Sequence, residues 1–293
     1  MFFKLSLAQW SLHRAYFGEV SKLPHPDFFN LILSEPEKAL QGKLDPLYFA
    51  KHAQSMFGID AIEYVNTFYF DKAEDQNYIN EMKNIADGEG VKSVLIMCDA
   101  EGMLGSSDDK ERRKAVENHH KWLHMAKFLG CHAIRVNAIS EGGYDEQMRL
   151  AADGLRQLTE VAADMEMNIL VENHGGFSSN GRWLADTIRM VDHPGCGTLP
   201  DFGNFTISDT EKYDIYQGLE ELMPLAKGVS AKTLAFDDKG NEADMDYIRL
   251  MKIVKNAGFT GYVGIEYEGD DLQEEEGIKK TKELLIRTAK ELE

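Results

Sequence analysis

The chain has 293 residues, 43% hydrophobic and 10% aromatic, which is the composition of an ordinary globular protein and excludes disordered and fibrous classes. Its 50 acidic side chains outnumber the 32 basic ones and give a net charge of −18, which repels phosphate backbones and anionic lipids and argues against nucleic acid or a membrane surface as a partner. Cys98, Cys131 and Cys196 lie far apart with no ligand spacing, the pattern of buried thiols in a reducing, cytoplasmic setting.

No apolar run approaches the ~18 residues of a membrane span. The opening stretch MFFKLSLAQWSLHR reads as a first strand rather than a signal peptide, because it lacks a basic head and a small-residue cleavage site. In chain order, strands are predicted at 4–12, 61–65, 93–98, 133–137, 168–172, 197–201, 228–233 and 262–266. Amphipathic helices are predicted at 46–57, 77–88, 109–129, 145–165, 181–191, 210–225, 244–257 and 273–292. The repeat of about 37 residues is the length of one βα unit, and strands joined through helices must run parallel. Asp45-Pro46 reads as a helix start, and Gly58, Gly130 and Gly258 as helix stops. Eight such units predict one (β/α)8 TIM barrel over residues 1–293, with an open doubly wound sheet as the alternative. Residues 13–44 carry Tyr16, Phe17, Phe28 and Phe29 between prolines, and are expected to form a lid or binding loop, a packed excursion with short helices, or both.

Residues of one parity along a barrel strand face the axis. That parity places Glu63, Arg135 with Asn137, Glu172 with His174, Leu199 with Asp201, Ser230 with Lys232, and Gly264 with Glu266 and Glu268 inside, near the carboxyl ends where barrel active sites lie. The five acids and two bases in that set carry three net negative charges, which a partly buried mouth tolerates only with an added cation. A divalent metal with oxygen ligands, Mn²⁺ or Mg²⁺, is therefore expected. Glu63 is read either as a substrate contact or as half of an interior ion pair. His120 and His124 have metal-ligand spacing but sit on an outer helix without a partner acid, which reads as packing or surface.

The segments LVENHGG (170–176), LPDFGNF (199–205), GVSAKTLAF (228–236) and GYVGIEYEG (261–269) together resemble the xylose isomerase-like TIM-barrel superfamily, the sugar phosphate isomerase/epimerase group, over essentially the whole chain. That resemblance implies a metal held by Glu172, Asp201 and Glu266, and proton transfer by Glu172 and Glu266 at a carbon next to a sugar carbonyl, through an enediolate. Arg135, His174, Asn204, Glu63 and Glu268 are the candidate substrate contacts. The family's ligand histidine on the seventh strand is replaced by Lys232, and a second, substrate-facing histidine by Asn204. Lys232 is accordingly a catalytic candidate, its ammonium taking over part of the metal's charge; neighbouring carboxylates keep it protonated and oppose Schiff-base chemistry. The acidic loop 269–276 disfavours a phosphate, so the expected partner is a small, non-phosphorylated sugar or polyol derivative, with a homo-oligomer compatible with the fold. A lyase sharing the same first step and a non-catalytic carbohydrate-binding barrel remain as alternatives, while a DNA-cleaving relative lacks its histidine-rich cluster and basic groove here.

Overall fold

The computed structural model describes residues 1–293, the side chain of His25 excepted. Eight parallel strands form the sheet: β1 (Lys4–Ala8), β2 (Ala61–Val65), β3 (Lys92–Met97), β4 (Ala133–Asn137), β5 (Asn168–Glu172), β6 (Cys196–Leu199), β7 (Val229–Thr233) and β8 (Tyr262–Tyr267). Strand order follows chain order around the ring, and β8 pairs with β1, Lys4 opposite Tyr262. The seam between β6 and β7 is closed by the parallel bridges Thr198–Ala226 and Asp201–Ser230. The fold is thus the expected (β/α)8 barrel; an open sheet would show a reversal of strand order, which is absent among the described residues.

The helices α1 (Phe49–Phe57), α2 (Gln76–Gly88), α3 (Asp109–Leu129), α4 (Tyr144–Asp164), α5 (Gly181–Val191), α6 (Ile215–Leu222), α7 (Tyr247–Asn256) and α8 (Glu274–Glu291) lie between and after the strands. Short polar side chains start them: Asp75, Asp108, Asn180 and Asp246 each accept backbone N–H bonds from the first turn of α2, α3, α5 and α7. Gly58 and Gly130 stop α1 and α3 in the left-handed region, with φ of 59° and 88°.

Three local predictions need correction. The first strand ends at Ala8, and Gln9–Leu12 is a 3-10 turn. The Gln9 side chain supports this turn by donating to Tyr69 Oη (2.8 Å) and accepting from the Val65 amide (3.1 Å), two partners that local sequence does not reveal. The predicted helix 210–225 is shorter: Thr206–Ser208 and Glu211–Lys212 form a small antiparallel hairpin, and α6 begins only after its cap, Asp214. Serine, aspartate and threonine at 208–210 favour a turn over helix continuation. The sixth strand closes at Leu199, and Asp201 joins the sheet through its single bridge to Ser230.

Residues 13–44 are a packed excursion with short helices His13–Phe17, His25–Ser34 and Pro36–Ala39. Its rings interlock with the barrel: Phe17 stacks on Phe68 (4.8 Å) and meets Phe28 edge-on (4.9 Å), while Trp10 meets Phe28 at 6.4 Å.

Inside the barrel, Glu63 lies beside β8, where a Cβ on Gly264 would sit 2.7 and 2.8 Å from its two carboxylate oxygens. Any side chain there would have to displace the Glu63 carboxyl. In the same way a Cβ on Gly203 would press the Lys232 stem at 2.8 Å.

Candidate active site at the carboxyl ends of the strands

Inward parity at the ends of β5, β7 and β8 delivers Glu172, Lys232 and Glu266 to one place, and the β6 seam adds Asp201. Glu266 and Lys232 are register partners on adjacent strands. Glu172, Asp201 and Glu266 are buried, and each offers an oxygen within 4.8 Å of the other two. Two acids from strand ends and one from the segment just past β6 thus share one point at the barrel mouth.

Their remaining partners form a continuous polar chain. Asp99, just past β3, accepts from Arg135 Nη1 (2.8 Å) and Asn137 Nδ2 (2.7 Å). The Arg135 Nε atom lies 2.7 Å from Glu172 Oε2, but off the N–H direction, so the contact is an ion pair without a well-aligned hydrogen bond. Asn204 Nδ2 donates to Glu172 Oε1 (2.8 Å), and its Oδ1 accepts from Lys232 Nζ (3.2 Å). Lys232 Nζ lies 3.1 Å from Glu268 and 3.8 Å from Asp201 Oδ2. Ser230 Oγ donates to Glu266 Oε2 at 2.5 Å.

Asp201 Oδ1 accepts from the amides of Gly203 and Asn204, both at 2.8 Å, while Asn173 grips the Asp201 backbone on both sides, accepting from its N–H (2.7 Å) and donating to its C=O (3.0 Å). Asp201 Oδ2 and Glu172 Oε2 are buried without a hydrogen-bond donor. Buried acceptors left this way are costly unless a further group meets them.

Burial dominates the electrostatics. It raises Glu172, Asp201 and Glu266 above the ordinary carboxyl range, with the nearby Arg135 and Lys232 charges pulling the other way. For Lys232 burial alone would lower the pKa, but the surrounding carboxylates, Asp201 and Glu268 foremost, outweigh it and lift the ammonium well above its usual value. At Glu268 and Asp99 burial is outweighed by the bases beside them, Lys232 and Arg135, and both carboxyls lie below their usual values.

A cavity of about 390 Å³ opens above these groups, lined by the polar Asp99, Arg135, Glu172, His174, Asn204, Lys232, Glu266 and Glu268 and by the apolar Trp10, Leu23, Phe28, Phe29, Val65 and Met97. A groove of about 840 Å³ between Arg14, Lys43 and Lys279 is larger, but none of the three converging acids lines it. Volume does not locate chemistry; the convergence of acids does.

Glu63 does not line the cavity, so the substrate-contact reading of it is corrected. It stands opposite Leu95, whereas Met97, two residues on, stands opposite Arg135, so Glu63 occupies the layer beneath. Nor is it half of an ion pair: Ser6 Oγ donates to its Oε1 (2.6 Å), and its Oε2 has no partner. Burial there raises its pKa to about 8. Sequence reading missed Asp99, Trp10 and Asn173. Asp99 follows the apolar run of β3 and was open to the same carboxyl-end rule; Trp10 was hidden by assigning it to a strand. His120 is half-buried on α3 and His124 exposed, both in the outer ring as expected.

A family model described as xylose isomerase-like TIM barrel matches residues 50–288. No curated protein sequence matches the chain significantly. Among solved structures, a D-psicose 3-epimerase with D-tagatose from Clostridium cellulolyticum H10 is similar with TM-score 0.67 and 15% identity over 85% of this chain and 94% of that one. A xylose isomerase-like TIM-barrel protein from Mycobacterium smegmatis in complex with magnesium gives TM-score 0.68 and 14% identity over 99% and 98%. A probable 3-DHS dehydratase from Bacillus anthracis gives 0.63 and 15% over 97% and 99%. At such identities these likenesses establish the fold and no more.

Proposed function

Because the chain belongs to the xylose isomerase-like TIM-barrel family, we propose that its converging acids make it a sugar isomerase or epimerase. The observation that carries this is the meeting of Glu172, Asp201 and Glu266 oxygens within 4.8 Å, with Glu172 and Glu266 lining an open cavity and Asp201 buried beside them. A cluster of three carboxylates, in which Glu172 Oε2 and Asp201 Oδ2 accept no hydrogen bond, offers the hard oxygen ligands that Mn²⁺ or Mg²⁺ takes. When bound, the metal supplies positive charge to the oxygens of the substrate's carbonyl and adjacent hydroxyl.

The chain's own residues do the rest. A proton next to a sugar carbonyl is too weakly acidic for a carboxylate unless the enediolate is stabilised as it forms, which is what positive charge at the site supplies. Standing on β5 and β8, the two carboxyls remove the proton and return it to the resulting enediolate. Lys232, wholly committed to its proton, acts as a fixed positive charge against the developing negative one. Asn204 and Arg135 hold Glu172, while His174 and Glu268 offer hydrogen bonds to substrate hydroxyls at the rim. The acidic rim suits a non-phosphorylated sugar or polyol derivative.

Elemental analysis of the purified protein should find close to one Mn²⁺ or Mg²⁺ per chain. Turnover of a sugar panel in deuterium oxide should place solvent deuterium in the product, with exchange falling by about 10²–10⁴-fold in Glu266→Gln and in Glu172→Gln. Exchange that survives both substitutions overturns the two-carboxyl reading.

A further inference from the structure

The cavity has two unlike sets of lining residues. Besides the carboxylates it is lined by Trp10, Leu23, Phe28, Phe29, Val65 and Met97, a wall that comes from the carboxyl ends of β1–β3 and the 13–44 excursion, with the hydroxyl-bearing Ser21 and Thr67 among them. The His13 ring lies flat on Trp10, centroids 5.0 Å apart and planes at 12°, with its Nδ1 at 2.9 Å from the Trp10 carbonyl, and so extends the aromatic surface. Burial lowers the His13 pKa, which keeps that ring neutral.

This wall is preformed. Phe28 is 7% exposed, clamped between Trp10 and the Phe17–Phe68 stack that anchors the 13–44 excursion to the barrel. Leu23, 40% exposed, carries the apolar surface out to solvent. A sugar alone has hydroxyls around its whole edge, and those turned toward the rings and aliphatic side chains, away from Ser21 and Thr67, would lose water without gaining partners. The cavity of about 390 Å³ also lies within the range that encloses a drug-sized ligand, beyond a single sugar ring.

We infer that the site takes a glycoside, with the sugar among the carboxylates and an apolar, planar aglycone lying on Trp10 and Phe28 and leaving past Leu23. The inference rests on the sugar chemistry proposed for the polar side and adds the class of group attached to that sugar.

The test compares methyl with phenyl glycosides, both anomers of D-glucose, D-galactose and D-xylose, by titration calorimetry on the Mn²⁺-loaded protein. At least one phenyl glycoside should bind about tenfold or more tightly than its methyl counterpart, because the ring buries its apolar area on the wall. Leu23→Asp, an exposed change that leaves the packed rings alone, should cut that preference to about threefold or less, and Trp10→Ala should remove it. Equal affinities within every pair, or no binding of any phenyl glycoside, overturn the inference. Deuterium exchange lost in Glu266→Gln alongside equal affinities sinks the aglycone alone; a phenyl preference with no metal and no exchange sinks the enolisation reading alone.

Discussion

Glu63 and Glu172 are both glutamates facing the inside of one barrel, 2% exposed each and one layer apart, yet they live under different rules. Glu172 has the Arg135 guanidinium at 2.7 Å, the Asn204 amide at 2.8 Å and two further acids within 4.8 Å. Glu63 has one hydroxyl, from Ser6, and the bare backbone of Gly264. The lower layer can hold its carboxyl only by keeping it protonated, so it is quiet structure. The upper layer spreads charge over bases and acids together, so a proton or a cation can come and go. Residue type is shared; the company each side chain keeps decides whether it does chemistry.

That contrast breaks most readily at Glu63. Its carboxyl titrates near 4.5 when unfolded and about 8 when folded, so between those values the native state holds a proton that the unfolded state has released. Stability therefore falls as pH rises through this window and is level below and above it. Glu63→Gln should remove the fall, with a gain approaching at most about 5 kcal/mol above pH 8 and little near pH 4, read from urea unfolding across pH. A difference between variant and parent that does not depend on pH would show that Glu63 is already paired.

The upper layer should respond through metal instead. Asp201→Asn should weaken Mn²⁺ binding by more than about 100-fold, the upper range for losing a mere supporting residue, whereas Glu63→Gln should change it by less than about threefold. Comparable losses in both would erase the distinction between layers. The mildest effect should come at Asn173, whose amide holds the Asp201 backbone. Asn173→Ala leaves the buried Asp201 N–H and C=O short of a partner, costing about 1–3 kcal/mol of stability and weakening Mn²⁺ binding by about 10–100-fold. If stability drops while metal affinity stays unchanged, Asn173 supports the seam and not the site.

Much of this was legible in the residues. The repeat of about 37 residues, the Asp45-Pro46 helix start and the stop glycines specify parallel βα units, because helix capping and strand burial depend on neighbours a few positions away. Parity alone turns Glu172, Lys232 and Glu266 inward, since side chains alternate faces along every strand.

What chain order and composition determined is the ring of eight strands and the rim where acids gather. Tertiary structure alone decided which acids meet. Glu63 shares their parity but was lowered one layer by strand stagger, Asp99 was brought in through Arg135, and Trp10 was swung into the mouth by a turn that Gln9 ties to Tyr69, 60 residues away. Barrel register and long-range hydrogen bonds join positions far apart in the chain, and no local pattern encodes distances of that kind.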